Sequence, residues 1–146
     1  MSVSSQIAAE LKARLQAINQ MAGFHTDAGQ NVALGWREIR ADEPLPCLTL
    51  IETGHTIDGD AVRGRNLNIR IDWTVEALTE IDGDLLPALY DLEDDVLRAL
   101  LPQDLSADGR YVRLHYRGRE IVPPEDGSRL AAVRVNFYTI HQQQLI

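Results

Sequence analysis

The strongest constraint on the fold is an alternation of apolar and polar side chains over residues 67–77. Successive side chains of a β-strand point to opposite faces, so a period of two predicts a strand with one buried and one wet face. The apolar set is Leu67, Ile69, Ile71, Trp73, Val75 and Ala77, and the polar set is Asn68, Arg70, Asp72, Thr74 and Glu76. We expect a sheet that is covered on one side.

Two other segments have the period of an amphipathic helix. Residues 4–22 carry apolar side chains at spacings of three and four, and Gly23 supplies a stop signal. A second helix with a wider apolar stripe runs from a cap at Asp82 or Asp84 to about Leu101. Both helices are expected to lie on the sheet.

Shorter strand signals complete the pattern, at residues 32–37, 47–53, 111–117 and 130–140, with a glycine-rich loop at 54–65. The order is helix, strands, helix, strands, without strict alternation of strand and helix. This order predicts an α+β fold, in which a mixed, mostly antiparallel sheet has two main helices packed on one face.

Length and composition predict one soluble domain that spans residues 1–146. No apolar run approaches the roughly 20 residues that cross a bilayer, so no membrane partner is expected. The N-terminus lacks the features of a signal peptide, which predicts a protein that stays in the cytoplasm of the cell that makes it. The single cysteine, Cys47, permits no internal disulfide and is expected to be buried.

The net charge of the chain limits which classes of partner it can bind. The chain has 22 acidic and 14 basic residues, a formal net charge of −8. Such a field repels phosphate backbones, so sequence-specific binding of nucleic acid is not expected. Small molecules, other proteins or further copies of the chain remain as partners.

The sequence offers few patterns for catalysis. It contains no phosphate-binding loop, nucleophile elbow or helical zinc motif, and it predicts no cofactor. Asp91, Asp94 and Asp95 share one face of the second helix and, with a histidine, would suit a metal-dependent enzyme. The alternative interpretation, a solvated acidic face, is the more common use of this pattern.

Two groups of polar residues suit an interface. The wet face of strand 67–77 displays both signs of charge, which suits either solvent or a neighbouring subunit. Arg63 and Arg65 in the long loop, and a second arginine cluster at 113–119, form local basic regions. We take Asn68, Arg70, Asp72, Thr74, Glu76, Arg63 and Arg65 as the candidate subunit or partner interface.

The arrangement resembles a known family. The features are an N-terminal amphipathic helix, the segments LPCLTLIETG and NLNIRIDWTVEAL, the helix DLLPALYDLEDDVLRALL and the closing strand RLAAVRVNFYTI. Together they are similar to the tail terminator, or minor tail protein U-like, family of long-tailed phages and prophages.

The resemblance implies a protein without enzymatic activity that forms a ring, expected to be hexameric, on the end of the tail tube. Its implied partners are the tail tube protein and the head-tail joining proteins, and its implied location is the host cytoplasm and then the virion tail. The alternative within assembly proteins is a head-tail neck or completion protein. The alternative from another class is the small metal-dependent enzyme.

Overall fold

The computed structural model describes residues 1–58 and 66–145. In chain order the elements are α1 (Val3–Gln16), β1 (Val32–Leu34), β2 (Cys47–Ile57), β3 (Asn66–Glu80), α2 (Leu85–Leu100), β4 (Leu105–Ala107), β5 (Arg110–Val112), β6 (Leu114–Val122) and β7 (Leu130–Gln144). Five strands form one sheet in the order β1-β2-β3-β7-β6, and β4 and β5 form a separate hairpin. Only the β1–β2 pair is parallel among the described strands. The predicted α+β fold is confirmed.

The core lies between the sheet and the two helices. The predicted apolar side of β3 faces it, and residues from Ile69 to Ala77 at alternate positions are buried there. The same core contains Ile7, Leu11 and Leu15 of α1, Leu89, Leu92, Val96 and Leu100 of α2, and Val133, Val135 and Phe137 of β7. Neither described helix is long and apolar enough to cross a membrane.

The first helix is shorter than the predicted 4–22. It ends at Gln16, although Ile18 is still fully buried. Gly29 gives the reason, because its N–H donates to the Ile18 carbonyl at 3.0 Å, and a Cβ at Gly29 would lie 2.5 Å from that oxygen. The carbonyls at the end of the helix therefore pack against a crossing chain, which only glycine can approach so closely.

The edge strands also differ from the prediction of strands at 32–37 and 47–53. β1 stops at Leu34 because Gly35, with a φ of +79°, turns the chain away. β2 continues through Gly54 to Ile57, where the prediction had placed the start of a loop. The rest of that predicted loop, 59–65, lies outside the described residues, and with it Arg63 and Arg65.

The strand predicted at 111–117 is two strands, β5 and β6, which are separated at Arg113. β5 pairs back on β4 through a tight turn at Asp108 and Gly109, both with positive φ. β6 extends to Val122, into the segment that was predicted as turn, because Ile121 and Val122 pair with β7. Cross-strand pairing therefore outweighs the local turn signals.

Trp73 tests the assignment of the buried face. Its side chain is 4% exposed, and its Nε1–H donates to Thr139 Oγ1 at 3.0 Å. Trp73→Ala should lower the free energy of unfolding by about 3–5 kcal/mol, because it leaves a large cavity in the core. Trp36 is 78% exposed, so Trp36→Ala is the matched control and should change stability by less than about 0.5 kcal/mol. Urea unfolding followed by circular dichroism measures both, and equal midpoints for the two variants would contradict the assignment.

Candidate functional site

The candidate site is the face of the sheet that turns away from α1 and α2, here called the open face. The alternate residues Asn68, Arg70, Asp72, Thr74 and Glu76 of β3 lie on it. β7 places Tyr138 opposite Asp72, Asn136 opposite Thr74 and Arg134 opposite Glu76. Among the described elements, both α-helices pack on the other face, so this face presents side chains to the exterior.

Asp72 is the centre of the first half of the open face. Its Oδ1 accepts hydrogen bonds from Arg70 Nε at 3.2 Å and Nη2 at 3.1 Å, and from Arg117 Nη1 at 2.8 Å. The Asp72 side chain is 19% exposed, so these charge-assisted bonds are partly shielded from water. One carboxylate thus links two arginines, from β3 and β6.

Two irregularities in the flanking strands make room for this cluster. On β2 the register shifts between Glu52 and Gly54, and Gly54 then stands opposite Asp72. A Cβ at Gly54 would lie 2.8 Å from Asp72 Oδ2, so glycine leaves the space that the carboxylate needs. On β6 the register shifts between Tyr116 and Gly118, and the extra residue is Arg117. β-bulges of this kind re-aim a side chain, here the guanidinium that reaches Asp72.

Tyr138 extends the cluster across β7. The Arg70 guanidinium carbon lies 4.0 Å from the centre of the Tyr138 ring, a cation–π contact. His115 of β6 stacks on the same ring, with 4.5 Å between ring centres and an angle of 10° between the planes. Side chains of three adjacent strands, β3, β7 and β6, are therefore fixed against one another.

The second half of the open face is also paired. Arg134 Nε donates to Glu76 Oε2 at 2.9 Å, and its Nη1 lies 3.9 Å from Glu120 Oε1. Thr74 donates to Asn136 Oδ1 at 2.7 Å and is only 6% exposed. The prediction of a wet Thr74 is therefore wrong.

The segment after β1 approaches the open face near Thr74. A cleft of about 480 Å³ lies over this part of the sheet, and Trp36 and Ile39 line it together with Thr74. Arg37 anchors the segment by donating from Nε to Thr49 Oγ1 at 3.1 Å. The exposed indole of Trp36 stands at this cleft.

The network of the open face is neutral. Its ion pairs involve three arginines and three carboxylates, namely Arg70, Arg117, Arg134, Asp72, Glu76 and Glu120. The whole chain has a formal charge of −8, so its excess of acid lies elsewhere. Carboxylates that are each held by an arginine suit recognition by shape and hydrogen bonding better than acid-base catalysis.

The predicted arginine cluster at 113–119 is not a group of free cations. Arg117 binds Asp72, Arg119 Nε lies 2.9 Å from Glu93 Oε2, and Arg113 lies 4.0 Å from Asp104.

The predicted acidic trio of α2 does not form one solvated face. Asp91 is exposed, but Asp95 is fully buried. Its carboxylate accepts hydrogen bonds from the backbone N–H groups of His25 and Thr26, both at 2.9 Å, and from the Thr26 hydroxyl at 2.8 Å. Asp94 Oδ2 lies 2.9 Å from His25 Nε2. His25, Asp94 and Asp95 are close enough to share a metal ion, yet each already has a protein partner.

Cys47 is 1% exposed, as predicted. Burial raises the pKa of its thiol, against an opposing effect of Arg37. The thiolate is the nucleophilic form, so this cysteine is poorly suited to covalent chemistry.

His141 is buried, although the sequence alone suggested an ordinary loop or strand-surface histidine. It is 6% exposed on β7, and neither ring nitrogen has a hydrogen-bond partner among the described residues. Burial lowers the pKa of His141, and the nearby His55 lowers it further. The only sequence signal was its place one residue beyond the strand predicted at 130–140.

Comparisons with known proteins give a structural match only. No family model matches the chain, and no curated protein matches it in sequence. A chain from a structure described as the virion of a native gene transfer agent particle has the same fold, with a TM-score of 0.67 and 15% identity. The match covers 97% of this chain and 98% of the other. A second solved structure matches with a TM-score of 0.50 and 18% identity, over 96% of this chain and 91% of its own.

Asp95 distinguishes a structural acid from a metal ligand. Asp95→Ala leaves the partly buried donors of His25 and Thr26 without their acceptor, which should cost about 1–3 kcal/mol of stability. The matched control, Asp91→Ala on the exposed side of α2, should change stability by less than about 0.5 kcal/mol. Thermal unfolding with and without magnesium or zinc checks the alternative. A metal-dependent rise in the unfolding temperature that Asp94→Ala abolishes would favour the metal site.

His141 predicts a pH dependence. Its pKa is lowered in the folded state, so the unfolded chain takes up a proton first as the pH falls below about 6.5. Neutral His141 therefore stabilises the folded state fully above that pH. Below it, the free energy of unfolding falls by at most about 1.4 kcal/mol per pH unit. Urea midpoints at pH 7.5 and 5.5 should differ more for the parent than for His141→Leu. Equal differences would show that His141 does not titrate in this range.

Proposed function

We propose that this chain is a structural protein of a phage or phage-like particle and, more specifically, a tail terminator. In this role it caps the tail tube as a ring, expected to be hexameric, stops growth of the tube and offers a surface to the head-tail joining proteins. The proposal treats residues 1–146 as one domain without enzymatic activity. It places the protein first in the host cytoplasm and then in the virion tail.

The observation that carries the proposal is the fold match over almost the whole chain to a component of a gene transfer agent virion. Because the match covers 97% of this chain and 98% of the other, the two proteins are of nearly the same size, which supports a similar role as a small structural subunit. The resemblance of element order to the tail terminator family supports the more specific role.

The open face supports an assembly role independently. It is a broad, prearranged surface whose charges sum to zero, on a chain of charge −8. A contact on a neutral surface adds less repulsion than a contact between acidic surfaces. We propose that Asn68, Arg70, Asp72 and Glu76 contact a subunit or partner, while the buried Thr74 supports the surface from beneath. Arg63 and Arg65 remain proposed members of the interface.

Two other functions are alternatives to tail termination. A head-tail neck or completion protein of similar size would also require a ring-forming α/β domain. The metal-dependent enzyme has weaker support, because Asp95 is engaged by His25 and Thr26 and Asp94 by the His25 ring.

Negative-stain microscopy of purified protein with isolated tail tubes and with heads tests the proposal. Rings at tube ends are the expected result, and rings at head portals would favour the neck protein. Asn68→Arg should abolish capping, because it places an unpaired charge on an exposed position of the open face. Gln16→Arg makes the same change on an exposed position of α1 and should leave capping intact. Undiminished capping by Asn68→Arg would remove this part of the open face from the interface.

A further inference from the structure

A cleft of about 470 Å³ lies at the end of the sheet where β7 continues beyond β6. The pairing of β6 with β7 begins at Leu114 opposite Thr139, whereas β7 runs on to Gln144. Residues 140–144 of β7 line one wall of the cleft, and the β4–β5 hairpin lines the other. Among the described residues no strand pairs with this edge of 140–144.

The cleft has the features of a strand-binding slot. An unpaired strand edge presents N–H and C=O groups that can bind an added strand. His141 lines the cleft and is 6% exposed, with both ring nitrogens lacking a partner in the described structure. Arg110 at the opposite wall donates to Gln142 Oε1 at 3.0 Å, which holds the hairpin across the slot.

Within residues 1–58 and 66–145, a second edge without a paired strand lies on the far half of β2. β1 covers β2 only at Leu48, Thr49 and Leu50. The Asp58 N–H donates to the carbonyl of Asn68 in β3. Along an antiparallel strand, the N–H and C=O groups of successive residues point alternately toward and away from the paired strand. Because those of Asp58 point toward β3, the N–H and C=O groups of Ile57 and His55 point away from it.

The two edges are complementary in charge and in apolar character. Residues 51–58 carry Glu52 and Asp58, a formal charge of −2. The cleft is lined by one cation, Arg110, which makes no ion pair within the described residues, and by Asp108, which is hydrogen-bonded to Gln6. Ile57 is 53% exposed at the first edge, and Tyr111 and Ile140 are 86% and 37% exposed at the second. Each edge thus has an exposed apolar side chain, and Arg110 of the second edge can pair with an acidic side chain of the first.

We propose that the far edge of β2 in one copy of the chain docks into the cleft beside residues 140–144 of the next copy. The proposal rests on the ring inferred under the proposed function and names one contact between its subunits. The two surfaces differ, so the contact is heterologous and propagates from copy to copy until a ring closes. It uses the end and edges of the sheet and leaves the open face available to a further partner.

Disulfide cross-linking tests the contact. Paired strands lie about 4.7–4.9 Å apart, within the Cα separation of about 4.4–6.8 Å that a disulfide requires. Ile57→Cys protein is mixed with Gln142→Cys or Gln144→Cys protein, with tail tubes present, and an oxidant is added. The native Cys47 is 1% exposed and stays out of the reaction. We expect a covalent dimer only in the mixtures, and a ladder of products when one chain carries Ile57→Cys and Gln142→Cys together.

A matched control pairs Ile57→Cys with Glu125→Cys, which is exposed in the β6–β7 loop and should form no dimer. Efficient dimers of Ile57→Cys alone would indicate an isologous contact and overturn the proposal. Rings seen by sedimentation or microscopy without a link from 57 to 142 or 144 would also overturn it, while the ring itself would stand. A chain that stays monomeric even with tail tubes would overturn both the ring and this contact.

Discussion

The antiparallel pairing of β3 with β7 is the interaction on which the rest of the structure depends. The two strands pair along their full length, from Asn66 opposite Gln144 to Glu80 opposite Leu130. Successive rows of this ladder face opposite sides of the sheet. Trp73 and Phe137 face the helices, while Asp72 and Tyr138 in the next row face outward. A slip by one residue would exchange the two sides and bury the charges, so the hydrophobic core and the open face are set by one register.

Charge is distributed unevenly over the two sides. The formal charges of the ion-pair network on the open face sum to zero, whereas α2 carries Asp91, Glu93, Asp94 and Asp95 within five consecutive residues. Six copies of a chain of charge −8 would carry a charge of 6 × −8, or −48. In the proposed ring, repulsion on that scale would favour contacts made on neutral or oppositely charged surfaces.

The sequence predicted the long elements because their periodicity reflects burial over many residues. The two sides of β3 and the position of α2 follow directly from patterns such as the one around Trp73. The sequence did not predict contacts between distant residues. The early end of α1 depends on Gly29, which crosses it, the pairing of Thr74 depends on Asn136 of β7, and the role of Asp95 depends on the loop at His25. Of the candidate site, the composition of the open face was predictable, but its pairing across β6 and β7 was not.

The packing of Gly54 against Asp72 has a consequence for recognising distant relatives. A Cβ at position 54 would lie 2.8 Å from Asp72 Oδ2 and would push this carboxylate away from the position in which Arg70 and Arg117 hold it, so a change at either position should favour a change at the other. The fold match has only 15% sequence identity, so the same fold does not require similar sequences. A coupled pair of positions 18 residues apart can persist when overall identity does not, because steric fit constrains the two positions together. Covariation of a strand glycine with a cross-strand acid would thus serve as a sequence signature for this open-faced sheet.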